Sequence, residues 1–251
     1  MANAKKKDAP KLKEWKRSNP GVKRIVVFVT NSGKYAATHH YDSIAKSLFA
    51  LDIVCRSRAK SDKSQAFDFE EAIAAVEKEM TIFGETISSK IEQIQSLLKD
   101  RNIEQLVEYE NPWSREFLIK TPQSFTALGM FSDFDKLCVL LDTAYLYGLT
   151  GKVTVDELSF NLANQFKALA RSLYVRSDTA LRQIKESREA SVAAGDNDPT
   201  NQIVLAEVAD FESNSEDSPT LDEDEPQRAE NAADSHKAVA EAPNETLENV
   251  S

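Results

Sequence analysis

Three residue types that would support catalysis or metal chemistry are scarce in this chain. There are two cysteines, three histidines and seven glycines in 251 residues. Two cysteines rule out a disulfide-rich scaffold, and Cys55 and Cys138 each sit in an apolar helical context that predicts buried thiols in a reducing compartment. His39 and His40 are adjacent, so on a helix they point about a hundred degrees apart, and neither has a cysteine or histidine at metal-binding spacing. No zinc site is expected, and no cofactor. With so few glycines there is no dinucleotide fingerprint. The segment NSGKYAAT after an apolar strand lacks the first glycine and the Lys-Ser/Thr pair of a phosphate loop. No serine elbow occurs, and the carboxylates spread along helix faces rather than gathering near glycine-rich loops. A non-enzymatic protein is expected. No apolar run is long enough to cross a bilayer, and no apolar core follows the lysine-rich start closely, so a soluble, cytoplasmic chain without membrane contact is the expectation.

Charge is present in quantity and is unevenly placed. The net charge is −10. Residues 1–37 hold ten Lys or Arg against two acids, whereas residues 191–251 hold sixteen acids against two bases. An acidic total therefore hides a basic head. Residues 1–21 read as a flexible basic arm, in which Lys5, Lys6, Lys7, Lys11, Lys13, Lys16 and Arg17 suit sequence-independent contact with phosphates. Residues 191–251 read as an acidic disordered tail, too polar to offset its ordering entropy. One apolar island, Gln202–Phe211, interrupts it. The tail is a candidate contact for RNA polymerase or another regulator, or a screen that keeps the arm off non-specific DNA.

Between these ends lies a mainly helical domain, residues 22–190. Arg24–Thr30 is rich in β-branched residues and apolar on both faces, which predicts a buried strand. A helix follows, carrying Tyr41, Ile44, Leu48, Leu51 and Val54, and it runs out in a polar linker, RSRAKSDKS. Residues 67–99 step by three and four through Phe69, Ile73, Val76, Met80, Phe83, Ile87, Ile91, Ile94 and Leu98. This is a long helix expected to pack on a helical hairpin, to form a dimer seam, or both. A short helical piece is expected at Ile103–Glu110, and Asn111-Pro112 breaks the chain.

The central stretch, Arg115–Tyr174, gives a short strand, Glu116–Thr121, a proline stop and two periodic helices. The first places Phe125, Leu128, Phe131, Phe134, Cys138, Leu141 and Tyr145 on one stripe. The second places Val155, Leu158, Leu162, Phe166, Leu169 and Leu173 on another. Thr154 and Glu157 have capping-box spacing, and Gly148 and Gly151 suit the reversal between the helices. The fold class is therefore mostly α with a small β element, containing a strand-helix-helix unit of the ribbon-helix-helix kind. The same order occurs in helical hairpins that bind nothing. If the two strands pair with each other, Lys23, Arg24, Arg115 and Lys120 fall near one edge. With Thr121, and with Lys152 and Thr154 at the exposed N–H groups of the second helix, they are the candidate DNA contacts. A regulator should show its cations on one continuous face; a helical adaptor or scaffold has no need to.

Two passages resemble a known family. They are SIAKSLFALDIVCRSRAKSDKSQAFDFEEAIAAVEKEM and SFTALGMFSDFDKLCVLLDTAYLYGLTGKVTVDELSFNLANQFKALARSLY, with Asp135 in a leucine-rich helix, Tyr147-Gly148-Leu149 and a basic end to the second helix as the points of match. Over roughly residues 22–178 the chain is similar to AcaB-type transcriptional regulators of conjugative plasmids and integrative elements. That resemblance implies a DNA-binding activator of conjugative-transfer genes, built on ribbon-helix-helix-like elements and acting as a homodimer on double-stranded DNA.

Overall fold

The computed structural model describes residues 20–193, apart from Asp62 and the side chains of residues 54–70 and 72. The arm cations, the acidic tail, the apolar island at 202–211 and the surroundings of Cys55 and Phe69 lie outside the described residues. Six elements follow in order: β1 (Val22–Phe28), α1 (Asn31–Ser61), α2 (Lys63–Asp100), β2 (Trp113–Ile119), α3 (Pro122–Leu146) and α4 (Lys152–Ala193). The architecture is four long helices with one small antiparallel sheet.

Side-chain contacts fix how the helices run. Phe166 of α4 stacks on Phe131 at 4.1 Å between ring centroids, and Ser159 meets Cys138 at 3.8 Å, so α3 and α4 are antiparallel. Gln123 bonds to Glu77 at 2.8 Å, and Gly84 faces Met130, so α2 runs parallel to α3. Tyr41 packs on Phe131 and Lys120 lies over the ring of Phe49, so α1 runs against α3. Phe166 is fully buried where α2, α3 and α4 meet, in ring contact with Phe83, Phe131 and Phe134.

The helix α3 is buried on more than one face. Leu128, Phe131, Phe134, Cys138 and Leu141 are inside as the periodicity predicts, but so are Met130, Leu137 and Leu140. The two ends of the predicted stripe, Phe125 and Tyr145, are exposed instead. Each carries a cation over its ring: Arg24 over Phe125 at 5.0 Å and Lys152 over Tyr145 at 5.6 Å. The predicted stripes of α2 and α4 are buried as expected through Val76, Met80, Phe83, Ile87, Ile91 and Leu98, and through Val155, Leu162, Phe166, Leu169 and Leu173.

The helix ends explain where the boundaries fall. Thr121 caps α3, its hydroxyl accepting from Ser124 N–H at 3.1 Å while the Ser124 hydroxyl accepts from Thr121 N–H. The capping box therefore sits here and not at Thr154, because α4 begins at Lys152 and places Thr154 inside its first turn. At its other end α3 closes with Gly148 at φ +70°, Leu149 N–H donating to Ala144 O and Gly148 N–H to Tyr145 O. The end of α2 repeats this pattern with Asn102 at φ 55°, the asparagine taking the left-handed position usually given to glycine.

Two further expectations are corrected. Residues 103–110 are not helical. They form an extended strap held on α3 by Val107 N–H to the Thr143 hydroxyl at 3.1 Å and by Tyr109 to Asp142 at 2.6 Å. The strand β1 is not buried on both faces. Ile25 and Val27 are 70% and 54% exposed, because β1 pairs only with β2 and just one face of this two-stranded ribbon lies on the helices; Val22, the first residue of the strand, is 67% exposed at its open end.

A buried carboxylate joins the ribbon to the bundle. Asp135 of α3 accepts from Val29 N–H at 2.9 Å, Thr30 N–H at 2.9 Å and the Thr30 hydroxyl at 2.6 Å. The same Thr30 hydroxyl accepts from Gly33 N–H at 3.0 Å, capping α1. A Cβ on Gly33 would lie 2.3 Å from Asp135 Oδ1, so only glycine lets the carboxylate approach this closely. The stretch NSGKY is thus the first turn of α1, and an internal anion occupies the helix terminus where a phosphate loop would bind its ligand.

Candidate nucleic-acid interface

The register of the ribbon decides which side chains face outward. Val22 pairs with Ile119, Arg24 with Phe117, Val26 with Arg115 and Phe28 with Trp113. Directly opposed residues share a face. Phe28, Phe117 and Ile119 are buried, so this set faces the helices. The other set, Lys23, Ile25 and Val27 on β1 with Leu118, Glu116 and Ser114 opposite them, faces out, and all six are exposed.

Four of the predicted cations gather at the ribbon. Lys23 lies on its outer face and pairs with Glu116 at 2.6 Å. Arg24 leaves the inner face at the rim to cover Phe125. Arg115 is part-buried, bound to Asp42 at 2.5 Å and packed 5.1 Å from the Phe117 ring. Lys120 follows the last residue of β2 and lies 4.8 Å from the Phe49 ring. Lys34, which the sequence reading did not single out, joins them 5.8 Å from the Trp113 ring. Because these cations rest on rings or face single carboxylates at the surface, their charge stays near solvent, where a phosphate could compete for it.

The remaining predicted contacts fall elsewhere. Thr121 is 3% exposed and its hydroxyl is spent on the cap of α3, so it presents no group to a ligand. Lys152 and Thr154 begin α4, one helix length away from Lys120. For the 25 residues of α3 that is about 37 Å. Lys152 is bound there to Asp156 at 2.8 Å, and that bond raises its pKa. The five predicted cations of the folded part thus do not form one continuous face: the ribbon gathers four, and α3 separates the fifth.

Ile25, Val27 and Ser114 are the outward residues that the sequence does not single out, whereas Glu116 and Leu118 share a face by the alternation of β2. The alternation of β2 was legible. That of β1 was hidden, because its outward positions carry β-branched apolar residues like its inward ones.

Three groups beneath the surface are held neutral, two of them in the core and one under the strap. Tyr41 packs at 4.8 Å against Phe117, and burial pushes its hydroxyl up to about 12. Burial also lifts the Cys138 thiol to about 12. Tyr109 is raised further, by desolvation and by the bond it donates to Asp142. A thiol in that state is a poor nucleophile and a poor metal ligand. Among the described residues no group of three or more His, Cys, Asp or Glu could hold a metal ion, and no helix is long and apolar enough to cross a membrane.

A two-stranded antiparallel ribbon leading into paired helices, with an extended strap and a long first hairpin around them, has a counterpart among solved structures. The fold is similar to that of AcaB. The crystal structure of selenomethionine-containing AcaB from uropathogenic E. coli superposes with a TM-score of 0.61 at 17% identity, covering 86% of this chain and 98% of that one. At that identity the likeness to AcaB concerns the fold alone, and it extends over nearly the whole AcaB chain. No protein-family model matches the sequence, and no curated protein matches it.

Proposed function

We propose that this chain is a DNA-binding transcriptional regulator that places its ribbon in the major groove of promoter DNA. The observation that carries the reading is the outer face of the ribbon. A two-stranded antiparallel ribbon fits the major groove. Here it offers Lys23 and Ser114 for hydrogen bonds to base edges, Glu116 to accept from a cytosine amine, and Ile25, Val27 and Leu118 for thymine methyls. Arg24, Lys34, Arg115 and Lys120 flank it as phosphate contacts. Lys152 and Thr154, a helix length away, contribute only where the duplex continues past the ribbon. The arm cations Lys5, Lys6, Lys7, Lys11, Lys13, Lys16 and Arg17 add affinity for any sequence.

The resemblance to AcaB-type regulators supports reading it as an activator of conjugative-transfer genes that works in the cytoplasm as a homodimer, without catalysis or cofactor. The acidic tail then contacts polymerase or a second regulator. The apolar half of the ribbon face and the Lys23–Glu116 pair also suit a helical adaptor that binds another protein.

Chromatin immunoprecipitation of the tagged chain separates the two. Sharp peaks upstream of promoters are expected, and they should vanish for Lys23→Ala combined with Ile25→Ala while surviving Thr154→Ala. No enrichment anywhere would remove the regulator reading and leave the adaptor. On an operator found this way, Lys120→Ala should lower affinity for all sequences alike and reduce the salt slope by about 1.

A further inference from the structure

The far end of α3 carries a surface of different character from the ribbon. The strap and the last turn of α3 enclose an open cleft of about 350 Å³ whose walls include Leu106, Val107, Leu146 and Tyr147. Leu106, Leu146 and Tyr147 are 44%, 65% and 51% exposed, an unusual cluster of large apolar groups left to water. The rim is acidic. Between Ile103 and Pro112 the strap holds Glu104, Glu108 and Glu110 and no lysine or arginine. Asp142 is bound to Tyr109 beneath it, and the neighbouring cation, Lys152, is already engaged by Asp156. An acidic rim around an apolar cleft repels a nucleic acid and favours a basic segment with apolar anchors.

The chain contains such a segment outside the described residues. Residues 11–17, KLKEWKR, hold four cations, one acid, and Leu12 and Trp15 three positions apart. Tryptophan and leucine supply the anchors, and the cations match the glutamates of the rim. Reach decides which copy can deliver it. Gly21 lies against Leu118 and Ile119, at the Thr121 end of α3. From Thr121 to Thr143 the helix advances about 33 Å. Fully extended chain spans at most about 3.6 Å per residue, so Trp15 stays within roughly 18 Å of Pro20 and Leu12 within roughly 29 Å. Trp15 therefore does not reach the cleft of its own chain.

We infer that the cleft formed by Leu106, Leu146 and Tyr147 is the docking site for residues 11–17 of a second copy of this chain. Two copies exchanging arms make the same contact twice, which closes the pair. The dimer contact is then an exchanged arm, separate from the ribbon, and the basic arm has a protein ligand as well as a phosphate one.

The test uses the full-length protein, in two differently tagged forms mixed at equal amounts, with the photo-crosslinker p-benzoylphenylalanine in place of Gln105 on the rim of the cleft. An interchain product mapping to residues 11–17 is expected. It should fall at least tenfold with Trp15→Ala and also with Glu104→Lys combined with Glu108→Lys. A product within one chain, a product mapping to residues 202–211, or no product would overturn the assignment. So would an interchain product indifferent to Trp15→Ala. No DNA is present, so the outcome is independent of the regulator reading.

Discussion

Replacing Asp135 with alanine should be among the most damaging single changes available in this fold. Its carboxylate accepts three hydrogen bonds, from Val29 N–H, Thr30 N–H and the Thr30 hydroxyl, in a site where Asp135 is 6% exposed. A hydrogen bond to a charged group contributes about 1.5–3 kcal/mol, and a buried donor left without a partner costs about 1–3 kcal/mol. The carboxylate also faces the N-terminus of α1, which favours an anion by a further ~1 kcal/mol. These contributions share atoms and do not add in full, so a loss of about 4 kcal/mol is expected from a domain whose total is of order 5–15 kcal/mol. Asparagine keeps the oxygen that receives the two Thr30 donors but turns an amide N–H toward Val29 N–H, and should cost about 2 kcal/mol. Urea unfolding followed by helical circular dichroism measures both, with an unchanged m-value showing that the folded state is otherwise intact. Hydrogen exchange should show the amides of Val29 and Thr30 opening earlier than the helix cores in Asp135→Asn. Stability within about 1 kcal/mol of the parent for Asp135→Ala would refute the claim that this carboxylate fastens the ribbon to the bundle.

Other changes separate structural from binding roles. Thr121→Ala removes the cap of α3 and should cost about 1 kcal/mol in the same melt, while affinity for an operator, measured by fluorescence anisotropy on folded protein, stays unchanged. Phe166→Ala empties the point where Phe83, Phe131 and Phe134 meet and should cost about 3–5 kcal/mol; a smaller loss would mean that the three rings close the space. Cys138 and Tyr41 are held neutral by burial, with pKa values lifted to about 12 from 9.0 and 10.0. The folded chain therefore keeps protons that the unfolded chain releases, so their contribution is complete below pH 9 and falls as the pH rises toward about 12. Melts across that range should show the decline, and Cys138→Ala should remove its onset near pH 9. The native thiol should also resist iodoacetamide at pH 8 until the chain unfolds.

Much of this fold was legible because long helices write their buried faces into the sequence at steps of three and four. Val76, Met80, Phe83, Ile87, Ile91 and Leu98, and Val155, Leu162, Phe166, Leu169 and Leu173, follow that rule and are buried, while Ile94 and Leu158 on the same stripes are part-buried. The pattern fails where an element has company on several sides or on only one. Enclosed by three neighbours, α3 buries Met130, Leu137 and Leu140 off the stripe. The strand β1 reads as doubly buried because valine and isoleucine serve equally on an outer face, and no local signal shows that the ribbon has only two strands. The sequence suggests a short helix at Ile103–Glu110, whereas the bonds that hold this stretch, Val107 to Thr143 and Tyr109 to Asp142, come from a helix more than thirty residues away. For the candidate interface, residue type identified Lys23, Arg24, Arg115 and Lys120, and pairing within the chain brought them together. The length of α3 removed Lys152 from the group, a fact of geometry that spacing along the sequence does not express.

Both strands of the ribbon come from one chain, and they are not alike. Where a ribbon is assembled from two copies, a two-fold axis passes through it and the bases beneath it repeat in inverted order. Here Lys23, Ile25 and Val27 lie beside Leu118, Glu116 and Ser114, so a single ribbon has a direction. Under the proposed reading, the base pairs it covers would form a non-palindromic word, and turning that word around would change the angle at which α1 and α3 meet the duplex. A dimer would carry two such readers. Its operator would consist of two directed words, with their relative orientation and spacing set by the contact between copies rather than by the ribbons.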